Sequence, residues 1–214
     1  MKVGVIDYGV GNLGSVIRAI EELRLQPALV TRPEDLNTVD RLILPGVGNF
    51  SDCVKLLDAG HWVEALREEV TVKHKPLLGV CVGMQLLATY SMEGATDNMP
   101  QGTLGLGLIP GRVQHLSRLG CQLRIPHVGW NAVTPTRAHS SLFDSIPAET
   151  DFYFVHSYAF VPDHPSDVLA VTDYGCSITA AVQSGHIWGT QFHPEKSSRA
   201  GFRLLRNFIE YRAC

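Results

Sequence analysis

The chain lacks most of the features that mark a specialised class of protein. It has no Cys-x-x-Cys and no His-Glu-x-x-His spacing, so its nine histidines do not fall into the common zinc patterns, and no metal site is expected. Its five cysteines, at positions 53, 81, 121, 176 and 214, are odd in number and widely scattered. That suits reduced cytosolic thiols better than a disulfide framework. No apolar run reaches membrane-spanning length, and the opening Met1–Ile6 reads as a first strand rather than a secretory leader. Charge is nearly balanced, 18 basic against 21 acidic residues, with no basic cluster, which argues against a nucleic-acid partner. Repeats, low-complexity tracts and linker-like stretches are also missing. What is present is 45% hydrophobic content over 214 residues, enough for one α/β domain spanning residues 1–214.

Periodicity orders this material. Strand patterns near 3–7, 27–31, 41–44 and 76–80 alternate with helical patterns near 12–24, 50–58, 61–73 and 82–91. A β-α-β-α order predicts a parallel sheet covered on both sides. From about 103 to 192, short strands broken by Gly and Pro predict an antiparallel extension, clearest at 152–155, 168–172, 178–183 and 187–192. Residues 93–102 read as a surface loop. A closing amphipathic helix over 198–211 turns Phe202, Leu205, Phe208 and Ile209 to the core.

The most informative stretch is Gly79-Val80-Cys81-Val82-Gly83-Met84-Gln85. It reads as the end of a buried strand, a tight corner, and the start of a helix. Glycines at 79 and 83 suit a corner too sharp for Cβ atoms. The same design places the serine of hydrolase elbows in the open at a helix N-terminus, where free N–H groups favour an anion. Alone, Cys81 would equally be a small buried hydrophobe. A nucleophile needs a base, and His193-Pro194-Glu195 follows the strand pattern that ends at Phe192. Pro194 pushes His193 toward an extended conformation, and residues i and i+2 of such a segment share a face. A thiol, an imidazole and an orienting carboxylate make the generalised triad Cys81, His193, Glu195.

A third component follows the strand at 41–44, in the loop Pro45-Gly46-Val47-Gly48-Asn49-Phe50. Its glycines let backbone N–H groups near Val47 and Gly48 turn toward a developing oxyanion, with the N–H of Val82 as second donor. Gly9-Val10-Gly11-Asn12-Leu13-Gly14 matches a dinucleotide fingerprint after the first strand. No acid stands clearly at the tip of the second strand, and no second mononucleotide half follows. The plainer account is a tight strand-to-helix turn, so no cofactor is expected.

Taken together, Cys81 within GVCVGMQLL, the HPEKS ending and the PGVGNF loop resemble the class I (triad) glutamine amidotransferases. Asp7–Leu13, Pro126-His127-Val128-Gly129-Trp130-Asn131 and Tyr153–Tyr158 narrow the resemblance to the glutaminase subunits of imidazole glycerol phosphate synthases, over roughly residues 2 to 210. The resemblance implies a three-layer fold with a mostly parallel central sheet and an antiparallel extension. It implies hydrolysis of glutamine to glutamate and ammonia, with Gln85 and Glu93 holding the α-amino and carboxylate groups. It also implies a heterodimer with a (β/α)8-barrel cyclase subunit that uses the ammonia to make imidazole glycerol phosphate and an aminoimidazole carboxamide nucleotide. Trp130, Asn131, Tyr153 and Lys196 would then lie at that interface. Two other classes stay open: a cysteine hydrolase of peptidase or chaperone type sharing the elbow, and a degenerate binding module. The former lack the HPE ending, and retention of all three triad residues argues against the latter.

Overall fold

A last strand inserted beside an early one explains how distant motifs meet. In the computed structural model, which describes residues 1–95, 102–137 and 140–212, the first half runs β1 (Val3–Ile6), α1 (Leu13–Glu22), β2 (Ala28–Val30), β3 (Arg41–Gly46), α2 (Phe50–Ala59), α3 (Trp62–Arg67), β4 (Leu77–Cys81) and α4 (Val82–Gln85). The second half adds β5 (Tyr90–Ser91), β6 (Thr103–Leu104), β7 (Gly111–His115), β8 (His127–Pro135), β9 (Thr150–His156), β10 (Tyr158–Pro162), β11 (Val168–Asp173), β12 (Ser177–Ser184), β13 (Ile187–Thr190) and α5 (Ser198–Glu210).

Nine strands form the main sheet, in the order β2-β1-β3-β4-β13-β12-β11-β8-β9. Pairing is parallel from β2 through to β13 and antiparallel from β13 onward. The strands β1, β3 and β4 are buried along their whole length. Continuous apolar runs of this kind are what a sheet covered on both faces requires. Helix α1 packs through Val16, Ala19 and Ile20, and α5 through Leu204, Leu205, Phe208 and Ile209. Phe202, also expected to turn to the core, packs against it while half buried.

Three expectations need correction. The segment at 187–192, expected within the antiparallel extension, forms its boundary: β13 pairs antiparallel with β12 but parallel with β4, Thr190 opposite Val80. Strands β10, β7, β5 and β6 form a separate small sheet rather than extending the main one. The helix expected over 82–91 lasts one turn. Beyond it the carbonyls of Leu86, Leu87 and Ala88 accept hydrogen bonds from the backbone of Leu106, Leu108, Ile109 and Gly107, and the chain turns into β5 instead. Of the loop expected at 93–102, residues 96–101 lie outside the described residues, as does Cys214. Among the described residues, no helix is long and apolar enough to cross a membrane. In the dinucleotide-like motif, Gly9 and Gly11 have φ of +100° and +134°, and a Cβ on Gly11 would press on Pro45 at 3.2 Å. Those glycines serve a turn packed on the neighbouring strand end.

Candidate active site

The corner at Cys81 is made by backbone crowding. A Cβ on Gly79 would stand 2.5 Å from the Gly83 carbonyl oxygen, one on Gly83 would stand 1.9 Å from that of Leu44, and one on Gly46 would stand 2.6 Å from the Gly83 nitrogen. The strands β3 and β4 and the first turn of α4 therefore approach one another where only glycine fits. Between them Cys81 adopts φ +56°, ψ −113°, a conformation L-residues rarely take and one that costs about 1–3 kcal/mol. Such strain persists only where the surroundings over-determine it. Because β13 runs parallel to β4, the segment after Thr190 emerges at the same sheet edge, where ligands of open α/β sheets bind.

His193 sits in that segment in extended conformation (φ −96°, ψ 96°), as its following proline dictates. Its Nδ1 is 2.8 Å from Glu195 Oε1, both side chains being almost fully buried. The contact is closed by the 3-10 turn Pro194–Lys196 rather than by simple extended alternation. Burial disfavours a charged His193, but interaction of its ring with Cys81 and Glu195 outweighs that penalty and raises its pKa to about 9. Its Nε2 is buried and completes no hydrogen bond. Cys81 Sγ lies 3.9 Å from the Val155 carbonyl oxygen and 3.9 Å from Gln191 Nε2.

The backbone of His193 is clamped as firmly as its ring. Its N–H donates to the Tyr153 carbonyl at 2.9 Å, and the buried Ser197 hydroxyl donates to the His193 carbonyl at 2.6 Å while accepting the Tyr153 N–H at 3.0 Å.

Around these groups lies a cavity of about 340 Å³, which takes in Cys81, His193 and the expected Val47, Gly48, Val82, Gln85 and Glu93. A wider surface groove of about 850 Å³, lined by residues such as Thr136, Ser141 and Phe143, has no cysteine or histidine in its lining among the described residues. Gly48 has φ +86° with open space where a Cβ would go, and Val47 is partly exposed. The Cys53 thiol donates to the Val47 carbonyl at 3.5 Å, and the Asn49 side chain caps α2 by accepting from Ser51 and Asp52. Glu93 accepts the Phe50 N–H at 2.7 Å, and burial raises its pKa above the usual carboxylate range despite that bond.

Gln85 is buried, and its Nε2 donates both to the Tyr158 carbonyl (2.9 Å) and to Gln191 Oε1 (3.0 Å). Gln191 was not anticipated; a lone amide in the apolar run Ile187–Phe192 was its only signal. Trp130, Tyr153 and Lys196 group together but do not line the cavity. Trp130 is 54% exposed, and its ring meets that of its cross-strand partner Tyr153 edge-on, centroids 6.0 Å apart. Lys196 stands 5.9 Å over the Tyr153 ring, and among the described residues it makes no salt bridge. Asn131 behaves differently, since its side chain donates to the Asp173 carbonyl at 2.8 Å and accepts from Ala132 N–H.

Known proteins resemble this chain over nearly its whole length. The family model "Glutamine amidotransferase class-I" covers residues 4–211. The chain is 44% identical to imidazole glycerol phosphate synthase subunit HisH 2 of Vibrio vulnificus, over 99% of this chain and 95% of that one. It is 42% identical to the HisH subunit of Brucella suis over 99% of this chain and all of that one. Among solved structures, a glutamine amidotransferase superposes with TM-score 0.73 at 22% identity, covering 97% of each chain. PurLQS from Thermotoga maritima gives 0.74 at 16%, covering 98% of each; these two speak for the fold.

Proposed function

The chain belongs to the class I glutamine amidotransferases and, within them, to the HisH family of imidazole glycerol phosphate synthase subunits, and on that premise we propose that Cys81, His193 and Glu195 hydrolyse the side-chain amide of glutamine. His193 Nε2 takes the thiol proton, and Cys81 attacks the amide carbon. The oxyanion is met by the N–H groups of Val82 and of the Val47–Gly48 loop. Ammonia leaves with the proton from His193, and water, deprotonated by the same ring, releases glutamate from the thioester. Glu195 keeps the imidazole oriented and its cation stabilised. The single observation that carries this reading is the pairing of a buried, carboxylate-held His193 with a Cys81 strained into the same cavity.

The cavity size suits a free amino acid. Gln85 has spent both amide hydrogens, so its oxygen is what remains to receive an α-ammonium group, and Glu93 adds a second acceptor. Glutamine hydrolysis without an ammonia acceptor is wasteful, so the partner is a barrel-shaped cyclase subunit docked over the face that exposes Val128, Trp130 and Val155 around the half-buried Tyr153, with Val155 also lining the cavity. Lys196, which makes no salt bridge among the described residues, supplies a charged anchor for an acidic partner residue. A valine between glycines in the oxyanion loop lets the Val47 N–H rest turned away until the partner and its nucleotide bind, which makes glutaminase activity conditional.

The test is a diazo-ketone analogue of glutamine offered to the chain with its partner. Single labelling at Cys81, prevented by glutamine, is the expected outcome. Labelling of another cysteine, or labelling indifferent to glutamine, would refute the assignment.

A further inference from the structure

Strands β8 and β9 pair so that His127 stands opposite His156, both on the buried face of the sheet. His156 Nδ1 is 2.8 Å from the Tyr158 carbonyl oxygen, and its Nε2 is 3.0 Å from His127 Nδ1. His127 Nε2 in turn lies 3.4 Å from Asn131 Nδ2. A carbonyl oxygen can only accept, so His156 must carry its proton on Nδ1. In a neutral ring its Nε2 is then an acceptor, which obliges His127 to donate from Nδ1 and, if neutral too, to accept from Asn131 through Nε2. Every polar atom of both rings is thereby assigned, in one direction only, from the partner-facing strand inward.

The chain ends on the carbonyl that also receives Gln85. We propose that His127 and His156 are a neutral positioning pair that, through the Tyr158 carbonyl, hold Gln85 so that only its oxygen faces the α-ammonium group of glutamine. This inference rests on the glutamine reading of the cavity. His127 is further fixed by stacking between Phe154 and Tyr174, centroids 4.8 and 3.9 Å away. Burial pushes the pKa of His127 down to about 4. Burial likewise lowers His156 to about 3, the charges of His127 and His193 adding to it against the bond to Tyr158. Two rings held uncharged can remain beside a His193 that must gain a proton.

Two measurements test the pair. Long-range 15N–1H NMR of the chain bound to its partner should show both rings neutral and protonated on Nδ1 at neutral pH. A ring protonated on Nε2, or on both nitrogens, would overturn the assignment. In steady-state assays with the partner, His156→Leu should raise KM for glutamine by about tenfold, the worth of one buried hydrogen bond, with kcat moved far less. His156→Asn, whose amide nitrogen can replace Nδ1 as donor to Tyr158, should recover most of that loss. An unchanged KM in the leucine variant, or no recovery with asparagine, would overturn the role. Wild type that releases no ammonia would instead sink the glutamine reading itself.

Discussion

The N–H of His193 donates to the carbonyl of Tyr153 at 2.9 Å, so the proposed base hangs from the strand whose outer face adjoins the proposed partner surface. Ser197 closes the second side of this clamp. Ser197→Ala would leave the Tyr153 N–H without its partner, at about 1–3 kcal/mol before relaxation, and would leave the His193 carbonyl with the Lys196 N–H alone. We expect a clear loss in urea-unfolding free energy and a fall in kcat with KM for glutamine nearly unchanged. Unfolding indistinguishable from wild type would show that the clamp does nothing.

Strain at Cys81 makes a second prediction. Glycine pays about 0.5–1 kcal/mol in chain entropy relative to alanine, whereas the positive φ costs a residue with a Cβ about 1–3 kcal/mol. Cys81→Gly should therefore be more stable than Cys81→Ala, by roughly 1 kcal/mol in denaturant unfolding, while both are inactive. The reverse order would mean the elbow is relaxed.

The glycines beneath the elbow are not equivalent to those beside it. Gly83→Ala puts a methyl 1.9 Å from the Leu44 oxygen, where only backbone can yield. Gly48→Ala meets open space and strains φ alone. The first should abolish soluble, cooperatively folding protein. The second should cost about 1 kcal/mol of stability and act chiefly on the glutaminase rate. Thermal melts of the pair, side by side, decide this.

Stability should peak in pH near the unfolded histidine pKa of 6.5. His193, raised to about 9, stabilises the fold fully below 6.5, and that contribution is lost as pH rises from 6.5 through 9. His127 and His156, lowered to about 4 and 3, work on the acid side. The unfolded chain binds their protons first, so stability falls as pH drops below 6.5. Urea unfolding at stepped pH should show both limbs, and Cys81→Ala should flatten only the alkaline one, because Cys81 helps raise His193. An alkaline limb unchanged in that variant would contradict the Cys81–His193 interaction.

Much of this was legible in the residues because the governing rules are local. Pro194 sets the backbone of His193, Gly79 and Gly83 announce a corner, and buried parallel strands write themselves as apolar runs such as Leu42–Leu44. The length of α4 was not legible, since helical periodicity through Leu86 and Ala88 is overridden by carbonyls that bond to a loop some twenty residues on. The place of β13 was equally hidden. A strand of that pattern can join either side of a mixed sheet, and only its pairing with β4 brings His193 to Cys81. Gln191 and the His127–His156 pair went unassigned for the same reason: their partners are set by sheet register and lie far away in sequence.

The most direct test is the release of glutamate and ammonia from glutamine by the chain assembled with its barrel cyclase, wild type against Cys81→Ala. Stoichiometric release by wild type and none above background by the variant is the predicted result. Equal release by both, or none by an assembled wild-type complex supplied with the cyclase nucleotide substrate, would contradict a glutaminase built on Cys81.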